Sequence, residues 1–514
     1  MSNKASDSLH KLIKSLTPSE KRAFKLFSSR HTAAEDNQYV KLFDAIDDQK
    51  IYNEADLLED FGTRQFSIVK GRLYDSILRS LDVYHANSSI DAQLKRDLHC
   101  AEILYKKSLY DQCSKLLISA KKLAQKYERH SSLLEIYLWE KRLIEKDNYS
   151  GMTEDDINRF LAEDDLIGQK VKSFNDYWNI KSRLFMILNK RGKVRNPEEL
   201  ENFKKIIDNV LLKTENSALS VETKYLFNHI YSAYYFGVGD YRSCYENLQK
   251  NVELIEHHTH LFMEEPNIYF SVLTNIIYVA SQLKNYDAVF MYLGRLREVP
   301  QKFEISRNED LEIKLFSSAY SIELTIYNNL GEYEKALELV PRIEDGLEKY
   351  ADNLNKVRVA YFCSSIANAY FGTGKFSTAL RWNNRILNNK EIDEVEDAHC
   401  FAEMLNVIIH LELKNDDLIP YTMKAAHRYL KAKKRVYKFE TVFFNFIGNL
   451  MKEKDRSGPD KIYRELLGEL EKLKDDPFEH AAFEYFDFMA WAQSKVKKVP
   501  FREVVEAQVK VRPA

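Results

Sequence analysis

Tyr327-Asn328-Asn329-Leu330-Gly331-Glu332-Tyr333-Glu334-Lys335-Ala336-Leu337-Glu338-Leu339 is the stretch whose reading decides the fold. An aromatic near a helix end is followed by a break at Gly331, a second aromatic at Tyr333 and a small residue at Ala336. Glycine just past a helix end can take the left-handed conformation that closes the last turn, so the chain reverses there. A small side chain at Ala336 lets the second helix approach the first, and Tyr333 fills the space beside the crossing.

The same order recurs at Tyr235…Gly239-Asp240-Tyr241…Cys244 and at Tyr370…Gly374-Lys375-Phe376…Ala379. Looser copies are Lys284-Asn285-Tyr286…Val289 and, far upstream, Ser108-Leu109-Tyr110…Cys113. With Lys414 as a further break, the interval between breaks from Gly239 onward is about 40 to 47 residues. A recurrence of that period marks paired helices that stack on their neighbours into one continuous core. Composition agrees: 15 glycines and 10 prolines make up about 5% of 514 residues, against roughly 12% in soluble proteins. Few breakers mean long helices.

Upstream of the repeats, Thr17-Pro18-Ser19-Glu20 predicts a helix start, with Thr17 as cap, Pro18 in the first helical position and Glu20 closing a capping box. Tyr39 to Ile46, Glu54 to Phe61 and Phe66 to Tyr84 are amphipathic, the last through Ile68, Leu73, Ile77 and Leu81. Residues 1–95 therefore read as an N-terminal helical domain or cap. Residues 96–435 read as helical repeats, irregular over 131–224, where Thr153 and Asn196-Pro197 start helices. Residues 436–514 read as a C-terminal helical cap.

Charge excludes some functions. Lys and Arg number 76 against 78 Asp and Glu, so no whole-molecule field draws in nucleic acid or an anionic membrane. Cys100, Cys113, Cys244, Cys363 and Cys400 are odd in number and never spaced Cys-x-x-Cys, which argues against a disulfide framework or a zinc site and for the reducing cytoplasm. The first sixteen residues lack the apolar run of a signal peptide, and no segment approaches the length of a membrane span.

Apparent chemistry dissolves under scrutiny. Gly372-Thr373-Gly374-Lys375-Phe376 suggests a phosphate loop, but Phe376 replaces the hydroxyl residue that magnesium needs and Ala369 stands where the first glycine belongs. His257, His260 and Glu264 would share a face if one helix carried them, though Pro266 follows closely. His99-Cys100 and His399-Cys400 lack a third group, and buried small cysteines are the expected reading. Neither a catalytic residue, a cofactor nor a metal is expected.

The chain resembles the tetratricopeptide repeat family, most clearly in Tyr327 to Leu339 and Ile366 to Leu380, and looks like uncharacterised bacterial members. Ala280 departs from the pattern in replacing an aromatic, as does Val289 in replacing a small residue. The resemblance implies an all-α, tetratricopeptide-like α-solenoid with helical caps, in which the first helix of each pair lines a concave, peptide-binding groove. Carried over by position, the partner-binding groove comprises His229, Thr274, Asn275, Tyr278, Ser321, Thr325, Asn328, Ser364, Asn368 and Phe371. The family's carboxylate clamp places lysine one turn before the groove asparagine; Ser364 stands there ahead of Asn368, which argues against recognition of a free C-terminus.

A second candidate surface is a basic run, Lys424, Arg428, Lys431, Arg435 and Lys438, whose 4-3-4-3 spacing gathers the charges on one face if one helix spans it. That is a candidate stripe for an anionic partner, weighed against a solvated helix face. The sequence thus predicts a cytoplasmic, non-catalytic scaffold or adaptor for a protein or peptide, without membrane contact. The alternative is a transcriptional regulator whose N-terminal helical segment binds DNA through Lys70, Arg72 and Arg79 while the repeats sense a peptide. Acids and bases balance over the first 95 residues, which disfavours nucleic acid as the partner.

Overall fold

The computed structural model describes residues 7–29, 38–61, 66–191, 194, 197–304, 309–351, 353–389, 396–433, 436–452, 459–474, 479 and 486–511. Among them every regular element is a helix. The chain divides into two compact units, Met1–Met186 with Lys204–Phe227, and Ile187–Phe203 with Asn228–Ala514.

The first unit opens with α1 (Ser8–Ser15), α2 (Pro18–Ser28), α3 (Gln38–Asp48), α4 (Glu54–Phe61) and α5 (Phe66–Tyr84). The expected capping box is present: the Thr17 side chain accepts from the Glu20 N–H and the Glu20 carboxylate accepts from the Thr17 N–H. Phe24, Phe43, Ile46, Leu73 and Ile77 form the core of these helices. Ile68 does not join them; it is 52% exposed, because Phe66 takes the inward place one half-turn earlier. Lys70 is drawn inward instead, donating to the Tyr52 hydroxyl at 2.7 Å and to Glu54 at 3.0 Å.

Next come α6 (Ile90–Lys106), α7 (Tyr110–Lys126), α8 (His130–Lys146) and the long α9 (Glu154–Arg191). Leu98, Cys113, Leu117, Ile136 and Tyr137 make a separate core there. Thr153 starts α9 as expected, through a second capping box in which Asp156 plays the acid. α10 begins at Pro197 (Pro197–Ile207); Asn196 lies outside the described residues.

The second unit carries most of the paired pattern: α11 (Val221–Val238), which enters this unit at Asn228, with α12 (Tyr241–His257), α13 (Thr259–Phe262), α14 (Pro266–Gln282) with α15 (Tyr286–Arg297), then α16 (Val299–Lys302). After α17 (Glu309–Leu330) the second helix is split into α18 (Tyr333–Glu338) and α19 (Val340–Lys349) by Pro341, and α20 (Lys356–Gly372), α21 (Phe376–Leu387), α22 (Glu396–Glu412) and α23 (Ile419–Ala432) follow. The chain closes with α24 (Lys438–Lys452), α25 (Pro459–Leu473), α26 (Phe488–Lys497) and α27 (Phe501–Val511). Successive helices pack pairwise, α14 on α15, α20 on α21, α21 on α22 and α22 on α23, as in a helical-repeat arrangement.

All six break positions named in the sequence are left-handed: φ is 60° at Ser108, 81° at Gly239, 60° at Lys284, 75° at Gly331, 75° at Gly374 and 58° at Lys414. At each, the next residue's N–H donates to the carbonyl five residues back, as from Glu332 to Tyr327 at 2.9 Å and from Asn285 to Ala280 at 2.9 Å. The left-handed residue itself donates three residues back, as from Gly331 to Asn328 at 3.2 Å. This paired closure satisfies two of the carbonyls orphaned at a helix end. Three of the six do it without glycine. Five residues on, Cys113, Cys244, Val289, Ala336 and Ala379 are all buried at the helix crossing. Cys113 and Cys244 use their thiols alike, each donating to a carbonyl twelve residues earlier, Ala101 and Ser232.

Candidate interaction surface

α14 is apolar on nearly every side, with Tyr269, Phe270, Leu273, Ile276, Ile277 and Ala280 buried. Its exposed residues fall in single file at Asn267, Ser271, Asn275, Tyr278 and Gln282, spacings that trace one stripe down a helix. Tyr278 is 46% exposed and meets Phe236 edge to face with ring centres 6.0 Å apart. Thr274 lies beside the stripe but spends its hydroxyl on its own helix, donating to the Phe270 and Ser271 carbonyls. His229 of α11 is half-buried.

Two of the candidate residues on α17 bind it to α20. Thr325 donates to the Ser321 carbonyl at 2.8 Å and also meets the Tyr361 hydroxyl of α20. Asn328 Nδ2 donates to the Ser365 carbonyl at 2.9 Å, while its Oδ1 is buried and accepts no hydrogen bond. Thr325, Asn328, Ser364 and Asn368 remain half-buried.

Two expected groove residues are not on the surface. Ser321 is buried, on the face of α17 from which Thr325 reaches α20. Phe371 is only 1% exposed, because Phe376, Phe486 and Phe501 close over its ring at centroid distances of 5.1, 5.1 and 5.4 Å. The sequence reading missed that cover. Phe501 also stacks on Tyr333 at 6.1 Å and on Phe486 at 5.5 Å, and burial pushes the Tyr333 phenol well above its ordinary range. The one signal for it was a lone aromatic followed by paired valines, Phe501-Arg502-Glu503-Val504-Val505.

Between α27 and the ends of α14, α17 and α20 a cleft of about 320 Å³ remains. Its walls include Gln282, Lys284, Asn328, Asn329, Asn368 and Gln508, so the exposed stripe of α14 leads into it through Gln282.

The basic run is not one stripe. α23 ends at Ala432 and α24 begins at Lys438, so Lys438 belongs to another helix; Arg435 lies outside the described residues. Lys424, Arg428 and Lys431 stay together as an exposed face of α23. His257, His260 and Glu264 are likewise divided, since α12 stops at His257 and α13 starts at Thr259. Among the described residues no three His, Cys, Asp or Glu side chains gather in a way that could hold a metal ion, and no helix is long and apolar enough to cross a membrane. Cys400 is buried as expected and so are Cys113, Cys244 and Cys363, whereas Cys100, also expected to be buried, is half-exposed.

No protein-family model matches this chain, and no curated protein matches it either.

Proposed function

We propose that the chain is a non-catalytic scaffold of the tetratricopeptide-like kind, binding a segment of a partner protein along the first helices of its pairs. The exposed stripe of α14 carries this reading. A helix buried on its other sides leaves an asparagine and a tyrosine standing out together, Asn275 and Tyr278. Asparagine can both donate to and accept from a peptide backbone, and tyrosine supplies contact area at small entropic cost. The polar cleft beyond Gln282, lined by Asn328, Asn329, Asn368 and Gln508, extends the track. All five cysteines are free thiols, which suits the cytoplasm to which we assign the protein.

The DNA-binding alternative is weaker on particulars. Lys70, one of its three cations, is bound to Tyr52 and Glu54 and only 13% exposed. The test is capture of crosslinked partners from the native cell with and without nuclease, repeated with Asn275→Ala combined with Tyr278→Ala. Aromatic anchors commonly carry 2 kcal/mol or more at interfaces, so capture of a nuclease-resistant protein should fall by roughly tenfold or more while helicity is unchanged. Recovery of specific DNA, or capture indifferent to the substitutions, would remove the scaffold reading.

A further inference from the structure

The second unit already holds an amphipathic helix at the end of this track, and that helix is its own. α27 presents Phe501 to Tyr333, Phe371 and Phe486. One turn on, Val505 covers the α17–α18 turn, where a side chain on Gly331 would meet Glu506 at 2.9 Å and Val505 at 3.6 Å. Arg502 Nη1 donates to both oxygens of the Glu334 carboxylate at 2.6 and 2.7 Å, while its Nε donates to Glu506 of its own helix at 2.6 Å. The receiving side thus has three parts: an aromatic slot, a turn kept flat by glycine, and an acid placed for a cation.

The occupant fits these parts without filling the site. The polar cleft stays open beneath α27, and the ion pair holding it is exposed, with Arg502 at 39% and Glu334 at 59%, a setting in which such pairs contribute little. α27 otherwise rests on α26 through Val504 and Ala490.

We propose that the α17–α18 turn is a receptor for an amphipathic helix of a partner protein, one bearing an aromatic residue, a basic residue directly after it and an aliphatic residue one turn on, and that α27 is the resident occupant the partner replaces. The inference deepens the scaffold reading and rests on it. The occupant's chemistry follows from complementarity: the slot takes an aromatic ring, Glu334 selects a cation, and the flat turn takes an aliphatic side chain. A tethered helix competes at an effective concentration far above that of a free one, so a peptide in solution gains access only when α27 is loosened.

The test uses the full chain and a fluorescent peptide with the sequence of residues 499–511, read by anisotropy. Phe501→Ala with Val505→Ala in the chain should tighten peptide binding by roughly tenfold or more relative to the unsubstituted chain. Adding Glu334→Arg, which sets two guanidinium groups against each other at an exposed site, should weaken peptide binding by about threefold, and a peptide carrying Arg502→Glu should recover it. Equal binding to both chains, or binding indifferent to Glu334→Arg, overturns the proposal. So does concentration-dependent dimerisation of the loosened chain in sedimentation, which would assign the site to a second copy. Should the loosened chain fail to fold, hydrogen exchange on the unsubstituted chain decides. Amides of α27 opening roughly a hundredfold more readily than those of α20 support a replaceable helix, and exchange only through global unfolding overturns it. If the peptide fails while the α14 variants still lose their partner, only this inference falls.

Discussion

Lys284 and Gly331 hold the same place in successive turns, with φ of 60° and 75°, yet only glycine takes that conformation without steric cost. A left-handed non-glycine residue loses roughly 1–2 kcal/mol, of which the greater chain entropy of glycine returns part. Lys284→Gly should therefore stabilise the protein by about 0.5–1 kcal/mol in urea unfolding, and Lys414→Gly likewise. Gly372 faces the opposite demand: a β-carbon there would lie 2.3 Å from the Tyr333 ring, so Gly372→Ala should cost about 1–3 kcal/mol in the same assay. The thiols differ just as plainly. Burial pushes Cys244 up to about 12 and Cys363 up to about 11, leaving little thiolate at pH 8. Mass spectrometry after brief alkylation of the folded protein should find the half-exposed Cys100 modified first.

At the scale of elements, Glu256 ties together α12, α14, α15 and α16. It accepts from the Tyr269 hydroxyl at 2.5 Å, Arg295 at 3.1 Å and Lys302 at 3.2 Å. Burial opposes its charge, but these donors outweigh it and hold the carboxyl below the ordinary glutamate range. A depressed folded-state value gives stability that is present above the ordinary range and lost as pH falls through the lower one. Glu256→Gln should flatten the acid limb of stability below the ordinary glutamate range, and Glu256→Ala should cost about 2 kcal/mol at neutral pH. The paired elements were legible because each turn needs a left-handed residue and each crossing a small one, and both leave marks within ten residues. Ile68 was misplaced because Phe66 meets the same helical spacing and is larger. The cover over Phe371 was illegible for a different reason: Phe486 and Phe501 lie more than a hundred residues away, and no local pattern encodes such a contact.

For the whole molecule, balanced charge leaves recognition to local faces. The exposed face of α23 is one of them, and the helix end at Ala432 reduces the five-residue stripe to Lys424, Arg428 and Lys431. Reversing these three to glutamate should change partner capture by less than about twofold, as for surface positions outside a binding site. A loss that varies with salt would instead mark an anionic partner. The turns have a wider consequence. Beyond the six breaks, the helices ending near Glu128, Asn148 and Lys498 close with the same left-handed residue and five-residue hydrogen bond. Of these nine closures among the described residues only three use glycine. A profile that scores glycine at this place would register one such closure in three, so in such a chain ancestry is better traced through backbone torsion than through letters.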